Sequence, residues 1–527
     1  MLPARILKSK YPRVLLWILG LALVFILYTW GITANPPGFY LDESATAYNA
    51  YLVSRTGAGE FGPRFPLLFQ FYAGSSATYV NPVTIYLLAL TFRFLPPSIL
   101  VARMFAAFWM FAACLLLGLL AKRISGQLKI GIIVAVTALL NPWLFEVGRL
   151  VWDAHFSAVT VVIFLFATYR VQTKEAWNWL DIATVAGSLT LLTYGYFSGR
   201  VLAPLFALGL VFFATSKRRL IDIIKTWLLY GTTLVPIVLF NRSHPGVLTK
   251  RLYEISYIRP GVSWTQTASE FIKRYLEDQS LYALLMTGDP HPRHHVQGSG
   301  GAILFATFIL AMIGLFLVFS RRWRDPWWRF VLYGLAISIV PGAITNWPFH
   351  QLRLMSYAVF LLLLTVPALE WLLAPHAPKG SERGRETIGN QQPQAAIGDT
   401  GPSRSARLAI LMLLLAATIL QGIRHQTIFR RDGPKREFEF DVPYKALYDA
   451  TVARRERPIY LQNGMWGPAY MDAFWYATIE GRPLSEFVRL PDGGRPPRGA
   501  IVISSNSDCQ NCEVIRKTGV YLLYRAK

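Results

Sequence analysis

The sequence is poor in charge and nearly without cysteine. Only 16% of its 527 residues are Asp, Glu, Lys or Arg, 53% are hydrophobic, and the mean hydropathy is +0.35. One soluble core of this length does not need that much apolar surface, so the excess faces lipid. Acidic residues are scarcest, 30 against 53 basic ones, for a formal net charge of +23. In a soluble chain that balance would suggest nucleic acid. Here the Lys and Arg gather in short turns between apolar segments, a pattern of membrane topology that implies no nucleic-acid partner. Of three cysteines, Cys114 lies in an apolar stretch, and Cys509 and Cys512 form a C-x-x-C near the C-terminus. That pair is open to three readings, a redox pair, half a zinc site or a local disulfide, and on an exported tail the disulfide is favoured. The absence of a Walker loop, a G-x-S-x-G elbow and an H-E-x-x-H motif disfavours nucleotide-driven transport, serine hydrolysis and zinc proteolysis.

What is abundant is membrane-spanning length. Stretches near the roughly 20 apolar residues that cross a bilayer recur from Val14 to Ile32, near Phe105 to Leu120, and onward to Leu408 to Ile423. The first has no small-residue cleavage site and reads as a retained span rather than a signal peptide. Arg5, Lys8, Lys10 and Arg13 before it place the N-terminus in the cytoplasm and the loop from Thr33 outside. Basic turns at Lys122 to Lys129, Arg170 to Lys174, Lys217 to Arg219 and Arg321 to Arg329 then alternate with turns poor in Lys and Arg. The alternation holds if Asn81 to Leu95, short and followed by Pro96-Pro97, lies at the interface instead of crossing.

The expected architecture is therefore an α-helical polytopic protein of the plasma or inner membrane, with about eleven transmembrane helices and interfacial helices in the first exported loop. Residues 1–373 form the transmembrane domain, 374–406 a disordered cytoplasmic linker rich in Gly, Pro, Gln and Ser, and 407–423 the last span. Residues 424–527 form a small exported α/β or α+β domain, with strands expected at Pro458 to Leu461, Ala500 to Ser504 and Val520 to Tyr524. The odd number of crossings puts both the first loop and this domain outside.

Ionisable groups at membrane depth are costly, so polar loops packed against apolar helices are the natural sites. The first loop carries adjacent carboxylates, Asp42 and Glu43, between an aromatic turn and a helix expected to begin near Ser44. Asp42 can abstract a proton from a bound hydroxyl, or it can simply cap that helix, and on residues alone capping is favoured. Arg149, Asp153 and His155 follow the third span, where on residues alone an interfacial anchor with an internal ion pair is the favoured reading. Arg200 stands beside aromatic rings and suits either a phosphate or a snorkelling role. The longest internal exported loop ends Gly288-Asp289-Pro290-His291-Pro292-Arg293-His294-His295, and a further outer turn supplies His350 and Arg353. A divalent metal held by Glu43, Asp289, His294 and His295 is conceivable, although their spacing matches no zinc signature.

The order of these motifs resembles the GT-C membrane glycosyltransferases. The early Asp42-Glu43 loop, Asn81-Pro82 opening an interfacial helix, Arg103 leading into the second span, Arg149 and Asp153, the Gly288 to His294 run, and His350 with Arg353 are similar to the bacterial branch of glycosyltransferase family 39. That branch holds protein O-mannosyltransferase and aminoarabinose transferase-like enzymes, and the likeness covers roughly residues 14–372. It implies sugar transfer, with inversion, from a polyprenyl-phosphate donor to a lipid, glycan or protein acceptor on the exported face, amid membrane lipids, with no certain cofactor. By that resemblance Asp42 is the base or acceptor-positioning group and Glu43 assists it. Arg200, Arg293 and Arg353 neutralise the phosphate, Asp153 positions substrate, and Asn81, Arg103, Arg149, His294 and His350 complete the binding set. Relatives often carry a basic residue just before the Pro pair where this chain has Val80-Asn81-Pro82, which shifts phosphate recognition to arginines elsewhere. The rival classes are a transporter or flippase of a lipid-linked substrate, against which the lack of a visible internal repeat counts, and a non-catalytic assembly protein.

Overall fold

A computed structural model describes residues 11–375 and 402–527. The linker expected over 374–406 lies, apart from its ends, outside the described residues. The chain begins with α1 (Tyr11–Thr29), turns through Pro36-Pro37 and enters α2 (Leu41–Thr56), which Gly57 ends in the left-handed conformation. An antiparallel ribbon, β1 (Phe69–Phe71) with β2 (Thr78–Val80), precedes α3 (Pro82–Phe94). The helical body continues with α4 (Ile99–Ser125), α5 (Leu128–Leu140), α6 (Pro142–Val147), α7 (His155–Gln172), α8 (Trp179–Gly195), α9 (Gly199–Gly209) and α10 (Lys217–Ser243). A long connection carries the amphipathic helices α11 (Val247–Ile255) and α12 (Trp264–Glu277). Then come α13 (Phe305–Leu317), α14 (Pro326–Ile337), the short α15 (Val340–Ala343), α16 (Met355–Leu363), α17 (Thr365–Leu373) and α18 (Arg404–Asp432).

Local chemistry sets these boundaries. Ser98 caps α4 by accepting the Val101 N–H at 3.2 Å, and the same helix ends on Lys122 and Arg123, whose charge suits a helix C-terminus, before Gly126 at φ 69°. Asn178 and Asp181 cap α8 reciprocally. Among the described residues, six helical segments are long and apolar enough to cross a membrane: Ile99–Ser125, His155–Gln172, Lys217–Ser243, Phe305–Arg322, Met355–Leu373 and Arg404–Lys435. Shorter apolar helices include Val14–Thr29, Leu128–Leu140 and Gly199–Phe213, and an expectation of about eleven crossings depends on counting such short ones. Pro82–Phe94 has 13 residues, about 20 Å of helix, short for a span.

After α18 the chain forms α19 (Val442–Val452), β3 (Ile459–Gln462), α20 (Tyr470–Ile479), β4 (Phe487–Arg489), β5 (Ile501–Ser504), β6 (Cys512–Thr518) and β7 (Tyr521–Ala526). The five strands make one mixed sheet in the order β4-β3-β5-β7-β6, parallel among β3, β4 and β5 and antiparallel around β7. All three strands expected from sequence are present, each beginning one residue later than expected, while β5 ends where expected and β3 and β7 end one and two residues later. Cys509 and Cys512 are joined as a disulfide. Helix α20 packs on α2, where Trp475 stacks on Phe39 and Phe92 at centroid distances of 5.6 and 6.1 Å. The C-terminal domain and the first loop thus share one apolar core.

Beneath that core lies a fully buried ion pair. Arg103 donates to Glu43 through Nη2 at 2.9 Å and Nε at 3.2 Å, and both side chains are fully excluded from solvent. Glu43 also accepts the N–H groups of Tyr40 and Val151, each at 3.1 Å. Arg149 spends its guanidinium on the backbone carbonyls of Tyr28, Trp30 and Asn35, at 2.7 to 3.0 Å. Removing one partner of such a pair strands a buried charge at a cost of about 3–5 kcal/mol. Arg103→Ala is accordingly expected to lower the thermal unfolding midpoint of the purified protein strongly, and Arg103→Ala with Glu43→Gln to recover part of that loss. Equal midpoints for wild type and Arg103→Ala would contradict the pairing.

Candidate functional site

A cavity of about 790 Å³ opens where the first loop, the β1–β2 ribbon, the starts of α7 and α9, the His-rich loop, the loop after α15 and the C-terminal domain meet. Of the residues singled out from sequence, Asp42, Asn81, Asp153, Arg200, Asp289, Arg293, His294, His350 and Arg353 line it. They come from six separate chain segments.

Asp42 is not a helix cap. Helix α2 begins at Leu41, three residues earlier than expected, so Asp42 sits in its first turn and its side chain lines the cavity. Tyr72, at the end of β1 with φ 62°, donates its hydroxyl to Asp42 Oδ1. No local pattern marks Tyr72 in the sequence. Glu43, one residue on, points the opposite way into the Arg103 pair, because successive side chains on a helix are about 100° apart. The structure therefore corrects four placements: Glu43, Arg103 and Arg149 are internal scaffolding, and His295 faces Glu146, its Nδ1 3.0 Å from the carboxylate Oε1.

The remaining walls are charged. Arg200 donates through Nη2 to Asn81 Oδ1, so the asparagine at the entrance of α3 holds a guanidinium at the cavity wall. Arg353 donates to Thr345 Oγ1 at 2.7 Å. Arg293 lies over the Tyr40 ring, its Cζ 3.6 Å from the ring centroid, and donates through Nε to the Glu439 carbonyl at 2.8 Å. Loss of bulk solvent, and secondarily the charge of Asp42, pushes the Asp153 carboxyl up to about 7, although Arg200 pulls the other way.

Asp289 behaves differently. Burial pushes its carboxyl up, but His294 outweighs this, donating from Nδ1 at 2.9 Å, and with the His291 N–H at 2.8 Å it holds the group down to about 2. Asp289 Oδ2 also accepts the Gln351 N–H at 2.8 Å. The His350 ring centroid lies 4.7 Å from that of His294; its Nδ1 is buried without a partner among the described residues, and burial keeps the ring well below the usual histidine range. Asp289, His294 and His350 each bring a ligand atom within 4.8 Å of the others. A neutral imidazole with a bare nitrogen beside an ionised carboxylate suits a divalent ion. The set expected from sequence included Glu43 and His295, which the structure takes away, and lacked His350, which arrives from a loop some sixty residues on.

No family model and no curated protein sequence matches this chain. Its fold does match solved structures. ArnT from Cupriavidus metallidurans in the apo state superposes with a TM-score of 0.58 at 12% identity, and the same protein bound to undecaprenyl phosphate with 0.57 at 10% identity, each covering 98% of both chains. The archaeal oligosaccharyltransferase AglB from Archaeoglobus fulgidus, in complex with an inhibitory peptide and a dolichol-phosphate, superposes with 0.50 at 13% identity, over 90% of this chain and 64% of that one. At these identities the likeness is one of fold: the chain shares the fold of ArnT over nearly its whole length.

The raised Asp153 carboxyl carries a signed prediction. Its folded value, about 7, exceeds that of an unfolded aspartate, so the folded state holds the proton more tightly and loses stability as pH rises from roughly 4 to 7. Asp153→Asn removes that cost. Its unfolding midpoint is expected to exceed wild type at pH 8 and to match it near pH 4. A midpoint below wild type at pH 8 would contradict the assignment.

Proposed function

We propose that this protein transfers a sugar from a polyprenyl-phosphate donor to an acceptor hydroxyl or amine on the non-cytoplasmic face of the membrane, inverting the anomeric carbon. The observation that carries the reading is the cavity itself: the Asp42 carboxylate, held by a tyrosine hydroxyl, shares its lining with Arg200, Arg293 and Arg353. In the proposed reaction Asp42 takes the proton of the acceptor as its oxygen or nitrogen bonds to the anomeric carbon. The bond from that carbon to the donor phosphate breaks, and the phosphate leaves with its charge met by the arginines. Two of the solved structures that share the fold were captured with undecaprenyl phosphate and with a dolichol-phosphate, which supports a lipid-phosphate donor here. Asn81 stands at the start of α3, where relatives often carry a basic residue, and the Arg200 it anchors supplies a positive charge there. A divalent ion on Asp289, His294 and His350 would add positive charge to the same phosphate site.

The transporter reading is weaker. The charged groups gather in one cavity roofed by the C-terminal domain instead of distributing along a pathway between helices, and the sheet domain has no counterpart in the first half of the described chain. In the proposed topology residues 1–373 are the catalytic domain, 407–423 the last crossing, and 424–527 an exported domain over the cavity.

Asp42→Asn is expected to fold and insert normally but to lose at least a thousandfold in turnover when purified protein is given radiolabelled polyprenyl-phosphate sugars and a panel of acceptors. Wild-type turnover by this variant would sink the assignment. The orientation is checked with a membrane-impermeant thiol reagent on intact cells: a cysteine replacing the exposed Phe65 is expected to react, and one replacing exposed Arg218 is not. The reverse pattern would overturn the topology.

A further inference from the structure

The segment joining α18 to the C-terminal domain, Gly433 to Asp441, runs as two short turns between the first loop and the His-rich loop. It touches both. Arg436 donates through Nη1 to the Pro292 carbonyl at 2.9 Å and through Nη2 to Asn35 Oδ1 at 3.2 Å. The Glu439 carbonyl anchors Arg293, and its carboxylate lies 3.4 Å from the same guanidinium. Gly38, at φ 61°, approaches so closely that a Cβ there would fall 2.2 Å from the Phe440 carbonyl oxygen. The strap and the loop that leads to Asp42 are in backbone contact.

The contact that matters most is made by Asp441. Its Oδ2 accepts the Leu41 N–H at 3.0 Å, across 400 positions of sequence, while its Oδ1 accepts the Tyr521 hydroxyl at 2.6 Å. Leu41 opens α2, and the first N–H groups of any helix lack intrahelical acceptors. Tyr40, at the capping position, offers no side-chain acceptor; Glu43 reaches back to the Tyr40 N–H, and Asp441 takes the next one. Asp441 is thus a helix cap delivered from the other end of the chain. Two of its neighbours in space, Asp42 and Arg293, line the cavity.

We infer that Asp441 is a positioning residue for the proposed transfer: by capping α2 through Leu41 it fixes the turn that aims Asp42, so the reaction site is complete only with the C-terminal domain docked. This rests on the function proposed above. Neither Asp441 nor the strap lines the cavity, so the effect passes through α2 and not through contact with substrate.

The test compares three variants of the full-length protein. Asp441→Ala removes the acceptor, Asp441→Asn keeps an amide oxygen that can still take the Leu41 N–H, and Asp441→Glu keeps the charge but displaces it by one methylene. Per folded molecule, Asp441→Ala is expected to lower kcat at least tenfold with the donor KM within about twofold, since a small misplacement of a reacting group costs rate more than affinity. Asp441→Asn should stay within about threefold of wild type, and Asp441→Glu should fall between, which keeps the question answerable if the Ala variant fails to fold. Amide hydrogen exchange over residues 40–47 supplies a readout independent of turnover, expected to accelerate at least tenfold in Asp441→Ala or Asp441→Glu and little in Asp441→Asn. Unchanged kcat together with unchanged exchange in these variants would overturn the inference. A wild type inactive with every polyprenyl-phosphate sugar, but showing the exchange difference, would overturn the proposed function and leave the positioning of α2 standing.

Discussion

Everything about the cavity depends on a fully buried salt bridge. Glu43 and Arg103 are both excluded from solvent, and Glu43 fills its lone pairs with two guanidinium bonds and two backbone N–H groups. A buried carboxylate with that many donors leaves no oxygen unpartnered, and so avoids the cost of an unsatisfied buried polar group. Because it is satisfied, it fastens the first turn of α2 to α4 and to the segment before α7. Asp42, one residue earlier and about 100° around the helix, is then left facing open space. Two neighbouring acids of the same type thus acquire opposite work, one holding the scaffold and the other exposed to whatever enters the cavity.

The same logic extends to the C-terminal domain. Asp441 closes α2 from above while Glu43 fastens it from below, and the strap that carries Asp441 also anchors Arg293. Further out, Asp492 accepts the N–H and hydroxyl of Ser75 at 2.7 and 2.8 Å, tying the β1–β2 turn to the domain at the cavity rim. Trp466, Gly467 and Pro468 complete the wall. The sheet domain is therefore structural roof and site component at once, in keeping with the one apolar core that α2 and α20 share.

Much of this was legible in the residues because bilayers constrain sequence so strongly. Apolar length marked the long helices, the Gly and Pro turns bracketed the strands, and polar loops packed against apolar spans collected most of the charged residues that line the cavity. What escaped detection depended on tertiary placement. Nothing in Asp42-Glu43 tells which acid faces inward, since that is set by helix phase, and the phase shifted when α2 began at Leu41 and not near Ser44. His295 and His350 look alike as ligands until Glu146 claims the first and leaves the second with a bare nitrogen. Tyr72 and Asp441 carry no local signature at all, because their partners lie 30 and 400 positions away.

The most direct test of the central claim is a structure of this protein with a polyprenyl phosphate bound. The phosphate is expected in the cavity, within hydrogen-bond reach of at least two of Arg200, Arg293 and Arg353, with a non-ester oxygen, the one that carries the sugar in the donor, directed toward Asp42 and its ester oxygen leading away to the lipid. A phosphate seated elsewhere, with the cavity unchanged and Asp42 remote from it, would contradict the assignment of this fold's interior to sugar transfer.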